Sequence, residues 1–454
     1  MVFSSFEFLF RFLPAFLIIY FITPKKFRNA VLFLGSIAFY TYGEAQYVLL
    51  LLASVTVNYV IARSMYKTPE DGRGRRQAVL LVLALCYDFG MLFFFKYSGL
   101  TTKLPLGISF YTFQIAAYVI DVYRGIVPAE KSYVNLGTYL TMFPQLIAGP
   151  IVNYTEVSSC LKRRTVTARD FESGVRILVI GLGSKVIIAD RVGMLWNNVQ
   201  TIGFNSISTP LAWLGAVAYS MELYFDFAGY SMMAVGLGKM LGFQIPVNFR
   251  FPYISKSVTE FWRRWHITLG RWFRDYVYIP LGGNRVSKSR HIFNLMVVWF
   301  LTGLWHGAAW NFVAWGLYYG IILIIEKYIL SPVLDKLPSV VRHIYSIVLV
   351  VIGWVLFFSP SFGGAARYLG MMFGAGAHGV ADRESLYLLT TNLVLWIILI
   401  IGFTPLTDVR YQHMLRQKKW NTTLLNGIVY AVLFILCIAY LVTETYNPFL
   451  YFRF

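Results

Sequence analysis

Apolar residues in this chain do not alternate singly with polar ones. They gather in long runs that begin near residues 3, 29, 47, 78, 106, 136, 174, 210, 227, 292, 309, 344, 386 and 424. Hydrocarbon offers no hydrogen-bond partner to a bare backbone, so apolar runs approaching about 20 residues read as membrane helices. Several runs are short or broken. The pattern therefore predicts an all-α polytopic membrane protein with about 10–12 transmembrane helices, supplemented by interfacial or re-entrant helices.

The stretch Phe251 to Tyr319 breaks the pattern. Ser257 and Glu260 have the spacing of a capping box, in which each side chain satisfies a free backbone donor at a helix start. A helix is predicted from Ser257, with Trp262, His266, Leu269 and Phe273 along one stripe and Arg263, Arg264, Arg271 and Arg274 mostly off it. Between Arg250 and Arg290 there are nine Lys or Arg against Glu260 and Asp275. That charge excludes a plain hydrocarbon span and places the segment at the interface or in a protein-lined cavity. The plainer reading is an arginine-rich helix holding anionic headgroups, with His266 a hydrogen-bonded core residue.

His306 stands apart. From Ile292 to Ile325 it is the one residue that titrates near neutrality, flanked by Gly303, Trp305, Gly307, Trp310 and Asn311. An ionisable group at membrane depth is expensive to hold there, so function is the default expectation over a structural histidine. The small glycines would let backbone or substrate approach closely.

These strings resemble the membrane-bound O-acyltransferases, and within them the branch typified by alginate O-acetyltransferase. The resemblance is carried by PLGISFYTFQ (105 to 114), FPQLIAGPIVNY (143 to 154), YFDFAGYSMMAVGLGKMLGF (224 to 243), FWRRWHITLGRWFRDYVYIPLGGNR (261 to 285) and LTGLWHGAAWNFVAWGLYYG (301 to 320). It covers most of Leu104 to Gly320. It implies helices around a central tunnel, an essential histidine at His306 and a second histidine, His266, along the same passage. It also implies acetyl as the acyl group, acetyl-CoA as the donor and a cell-envelope polysaccharide as the acceptor. A separate extracytoplasmic acetyltransferase is expected as partner. One position departs: the family commonly has an acidic residue in GYSDMA, where this chain has Met232.

Composition agrees with membrane residence: 57% hydrophobic, 18% aromatic and 13% charged residues. Connections are short and no linker, repeat or low-complexity block interrupts them, so residues 1–454 read as a single domain with its motif core at about 104–320. The first run contains Glu7, Arg11 and Pro14 without a basic leader, and reads as a retained helix. Lys25, Lys26 and Arg28, then Arg63, Lys67, Arg73, Arg75 and Arg76, place two early loops in the cytoplasm of a bacterial cell, with the N-terminus outside. Lys162 to Arg164 and the Arg410 to Lys419 loop would face the cytoplasm too. Cytoplasmic loops and anionic lipid account for most of the +19 formal charge, and nucleic acid is not needed to explain it. Cys86, Cys160 and Cys437 form no metal or redox pair. His291, His343, His378 and His413 have no spaced partners, and no metal site is expected. No Walker-type phosphate loop is present, which weighs against ATP-driven pumping.

Moving an acyl group from a thioester to a hydroxyl requires a proton acceptor as the oxygen attacks, and a neutral imidazole suits that task at cellular pH. Arg263, Arg264, Arg271 and Arg274 suit the phosphates of acetyl-CoA or an acyl carrier protein. Asp226 and Asn311 are candidates for lining the tunnel or orienting a histidine. Asp88, Arg176 and Lys185 read as internal partners that fix helix packing. Two rivals remain: a D-alanyl transfer protein for teichoic acid using a carrier-protein thioester, and a transporter or flippase with His306, Asp226 and Lys185 on its pathway.

Overall fold

The computed structural model describes residues 2–66, 74–100, 103–203, 206–376, 379, 382–406, 420–443 and 449–450, without the side chains of 420–425. All regular structure among them is helical. The Arg410 to Lys419 loop, His378 and His413 lie outside the described residues. Among the described residues, five helical segments are long and apolar enough to cross a membrane: Lys25–Met65, Arg75–Tyr97, Trp310–Leu334, Ser339–Phe358 and Asn426–Thr443. The pair Arg383–Thr391 and Leu393–Phe403, bent by 64°, makes a sixth if taken as one broken span. The expected 10–12 spans exceed this number. Much of the remaining apolar sequence forms helices too short or too interrupted to cross alone, including Tyr133–Thr141, Val258–Arg264 and Ile267–Phe273.

The backbone divides into two compact units, Met1–Val179 with Tyr230–Val247, and Ile180–Gly229 with Asn248–Phe454. One boundary falls inside the helix Thr209–Met240. At 32 residues this helix is about 48 Å long.

In the first unit, the opening run supplies a phenylalanine ladder. Phe8, Phe12, Phe16 and Tyr20 recur every four residues and stack in turn at 5.8, 5.7 and 5.9 Å. Phe143 meets Phe12 and Phe16 edge-on at 5.4 and 5.2 Å, which ties the ladder to the FPQLIAGP string. Arg164 knits three distant segments together. Its guanidinium donates to the Tyr20 hydroxyl, to Asn29 Oδ1 and to the Leu241 carbonyl, and lies over the Phe243 ring at 4.5 Å. Sequence alone placed Arg164 in a cytoplasmic basic cluster; the fold uses it as an internal clasp. Gly107 of PLGISF has φ +77°, and a Cβ there would lie 2.4 Å from the Leu146 carbonyl oxygen. Glycine is what lets the two motif strands meet.

The second unit has an aromatic core. Trp262 packs against Trp299 at 4.8 Å, Trp315 at 5.5 Å and Tyr319 at 4.7 Å. Trp354 donates to the Tyr253 hydroxyl, which donates to the Ser220 carbonyl. The buried Lys185 ammonium sits 2.7 Å from Asp190 and 2.9 Å from Asp226. The internal pairing expected for Lys185 is thus present, with Asp190 and Asp226 as its partners.

Candidate active site

The Ser257 start is as predicted. The Ser257 hydroxyl accepts from Glu260 N at 3.0 Å, and the Glu260 carboxylate reaches back to Lys256 N at 2.9 Å. The single helix expected through Phe273 is not formed. The helix ends at Arg264, Trp265 is extended, His266 adopts φ +44° and ψ +52°, and a new helix runs Ile267–Phe273. The stripe of Trp262, His266, Leu269 and Phe273 is therefore cut at its second member.

The break follows from hydrogen bonds offered by Asn248 and Arg250. Arg250 N donates to the Arg264 carbonyl and Ile267 N to the Asn248 carbonyl. Asn248 Oδ1 accepts from Thr268 N at 3.2 Å and Thr268 Oγ1 at 2.9 Å. A side chain 20 residues upstream thus fills the N-cap role that His266 itself leaves open. A left-handed non-glycine residue costs about 1–3 kcal/mol, and such strain concentrates at working sites. Among the described non-glycine residues only Phe251 shares this backbone.

The same oxygen fixes the state of the imidazole. His266 Nδ1 lies 3.2 Å from Asn248 Oδ1. A backbone N–H can only donate, so the Asn248 atom facing Thr268 N is the oxygen, and Nδ1 must carry the proton to donate to it. Nε2 then holds the lone pair. His266 is 3% exposed, and burial pushes its pKa down to about 3. Phe227 closes on the ring at 4.8 Å.

His306 is the last residue of the helix Lys288–His306. It is 5% exposed and walled by Trp305 at 4.9 Å, Trp315 at 4.9 Å and Phe357 at 5.3 Å. Trp305 also meets His266 at 5.9 Å, so one indole touches both imidazoles. The glycines around His306 serve backbone approach. A Cβ on Gly303 would lie 2.5 Å from the Phe312 carbonyl oxygen, and one on Gly316 would lie 2.3 Å from the Trp299 carbonyl oxygen. Small residues here bring Lys288–His306 and Trp310–Ile325 into backbone contact, the usual way helices pack where lipid gives no hydrophobic drive.

The structure sorts the remaining predicted residues. Asn311 donates to the Phe357 carbonyl at 3.2 Å and so holds the helix whose Phe357 ring faces His306. Its Oδ1 is buried without a hydrogen-bond partner among the described residues. Asp226 is 1% exposed and engaged by Lys185 and by Leu450 N at 2.7 Å. Its neighbour Phe227, not its carboxylate, reaches His266. Arg264 is committed to Glu260 at 2.8 Å and Arg274 to Asp275 at 2.7 Å. Arg263 is exposed and Arg271 half-buried. Among the described residues no His, Cys, Asp and Glu group has metal-site geometry. No motif in the sequence marks Asn248; only the fold reveals what it caps.

Similarity to known proteins points the same way. The sequence profile described as "MBOAT, membrane-bound O-acyltransferase family" matches residues 128–361. The chain is 36% identical to "Probable alginate O-acetylase AlgI" of Pseudomonas putida, with both chains covered in full. It is 33% identical to the peptidoglycan O-acetyltransferase of Helicobacter pylori over 82% of this chain and 80% of that one. It is also 32% identical to the teichoic acid D-alanyltransferase of Bacillus subtilis, over 48% of this chain and 58% of that one. With two buried histidines on a shared tryptophan, a multi-pass helical fold and similarity along its whole length, this chain belongs to the membrane-bound O-acyltransferase family and is an O-acyltransferase.

Proposed function

We propose that the protein passes an acetyl group from acetyl-CoA on the cytoplasmic side towards hydroxyls of a cell-envelope polysaccharide, with His306 as general base. The observation that carries the reading is His306 itself, a nearly buried imidazole in an aromatic wall at the end of its helix. In this reading the acceptor oxygen attacks the thioester carbonyl as its proton passes to an imidazole nitrogen. The carbon–sulfur bond then breaks and the thiolate takes that proton back, leaving an ester and a free thiol. Proton transfer by a positioned base is worth typically 10²–10⁴-fold. His266, fixed as the Nδ1–H tautomer, offers Nε2 as a hydrogen-bond acceptor in the same aromatic cluster.

Full-length similarity to a protein named as an alginate O-acetylase supports acetyl and a polysaccharide. The H. pylori relative supports a glycan of the envelope more broadly. The proposed setting is the bacterial cytoplasmic membrane with the N-terminus outside, and the proposed partner is an extracytoplasmic acetyltransferase that places the group on the polymer. The test is polysaccharide ester content in cells carrying His306→Gln, with protein abundance measured in the same membranes. Normal ester content at normal abundance would refute the assignment of His306.

A second reading is D-alanyl transfer from a carrier-protein thioester, favoured by similarity to the teichoic acid enzyme over about half the chain. Capture of an acyl carrier protein, set against acyl transfer from free acetyl-CoA, separates the two. The transporter rival predicts that His306→Ala abolishes uptake or export while leaving acyl transfer intact.

A further inference from the structure

The helix Lys288–His306 carries a histidine near each end, and the reaction above uses the one at the C-terminus. The other, His291, is 2% exposed. Three side chains converge on its ring. The Tyr278 hydroxyl and the Lys327 ammonium lie 2.8 and 3.1 Å from Nε2, and the Tyr328 hydroxyl lies 2.8 Å from Nδ1. An ammonium has no lone pair to offer, so Nε2 is the acceptor, and Nδ1–H donates to the Tyr328 oxygen. The three partners lie on π-helical turns, Arg274–Tyr278 and Glu326–Leu330. Such turns are rare and recur at functional sites.

His291 forms one wall of a cleft of about 470 Å³ lined also by Ser257, Thr259, Arg263, Lys327 and Arg342. The acidic groups of this cleft are already engaged. Glu326 accepts from Val258 N at 2.7 Å, Thr259 N at 2.8 Å and Thr259 Oγ1 at 2.6 Å. Asp335 pairs with Arg342 at 3.5 Å. Arg342 Nε is buried without a hydrogen-bond partner among the described residues. Arg263 and Lys327 are exposed and add positive charge beside these hydroxyls. Such a lining, rich in donors with its carboxylates already hydrogen-bonded or paired, suits a phosphate group.

We propose that this cleft holds the phosphoester end of the thioester donor, with the acyl end lying towards His306. The proposal rests on the thioester-donor reading above. Fifteen residues separate the two histidines on one helix, which places them about 22 Å apart along its axis and about 60° apart around it. A donor whose phosphate and acyl group are adjacent cannot serve both ends. A pantetheine-type thioester, with its phosphoester and thioester at opposite ends of a flexible arm, has the required form. An anionic lipid headgroup shares the phosphate chemistry without the arm.

The test titrates full-length protein in neutral-lipid nanodiscs with coenzyme A and with pantetheine, which lacks the phosphoesters. Wild type is expected to bind coenzyme A more tightly. Arg263→Gln and Lys327→Gln should each weaken coenzyme A by about tenfold, the scale of one hydrogen bond to a charged group, and leave pantetheine unchanged. Lys336→Gln, which removes an exposed charge outside the lining, should change neither. Arg263 is exposed, so its variant tests the cleft without threatening the fold.

Coenzyme A affinity that is absent in wild type, or equal in wild type and both variants, overturns the donor assignment. If the variants instead lose co-purifying anionic lipid, the cleft is a headgroup site. If they lose neither, it is no phosphate site. Binding is read without turnover, so intact coenzyme A binding in an inactive His306→Gln protein leaves the cleft standing. Acetyl transfer that ignores both cleft variants removes the cleft and leaves the reaction.

Discussion

Asn248 and His266 are 18 residues apart in sequence and joined by one oxygen that does two jobs: Asn248 Oδ1 caps the helix after the histidine and sets which nitrogen of the histidine carries the proton. Cap and tautomer cannot be altered separately through this side chain. Asn248→Ala removes an N-cap acceptor worth about 1 kcal/mol and releases the left-handed His266 from its anchor. Thermal stability in detergent should fall by about 1–2 kcal/mol, on the scale of one cap and one buried hydrogen bond. Acyl transfer per folded molecule should fall further, because Nε2 no longer has a fixed direction. Activity that tracks folded protein alone would make Asn248 purely structural.

Burial of His266 makes a second prediction, in the pH dependence of stability. The folded pKa, about 3, lies below the usual value of 6.5. Between those values the unfolded chain binds a proton that the folded chain does not. Stability therefore rises with pH across that window and is lost as the pH falls from about 6.5. Melting of the purified protein at pH 7.5 and pH 5 should show that loss, and His266→Gln should reduce it. An equal acid sensitivity in the variant would mean that other groups carry the effect.

Much of this site was legible in sequence because its signals are local. The Ser257 and Glu260 spacing marked a helix start, and a lone histidine among Gly303, Trp305 and Gly307 marked His306. The break at His266 was not legible. No glycine or proline announces it, and the groups that create it, Asn248 and Arg250, act from outside the segment. Periodicity assumes that each N–H finds its partner four residues back, and it fails where another strand of chain offers a competing one. The partners of His291 are hidden from sequence for the same reason, since Lys327 and Tyr328 lie 36 and 37 residues away.

The glycines beside His306 give a third prediction. On Gly303 and Gly316 the obstructing atoms are backbone carbonyl oxygens at 2.5 and 2.3 Å, which cannot swing aside. Gly316→Ala should therefore part the two helices, cost about 1–3 kcal/mol on the scale of an overpacked core, and shift Trp315 against His306. Gly270→Ala is the contrast. It lies within the helix Ile267–Phe273 with nothing within 4 Å of its new methyl group, so helix propensity should make it neutral or stabilising by up to about 1 kcal/mol. Thermal melts of both variants, with ester formation measured alongside, would check the contrast.

The last prediction separates Asp226 from the chemistry around it. Its carboxylate is bound to the Lys185 ammonium and to Leu450 N, while Phe227 covers His266 from the next position. Lys185→Met leaves Asp226 buried with an uncompensated charge, a change of the kind that costs about 3–5 kcal/mol. Adding Asp226→Asn removes that charge and should restore part of the lost stability. The double variant should then regain abundance in membranes, with ester formation per molecule close to wild type. A double variant that is abundant and inactive would instead put the Asp226 carboxylate on the proton path or in the substrate passage.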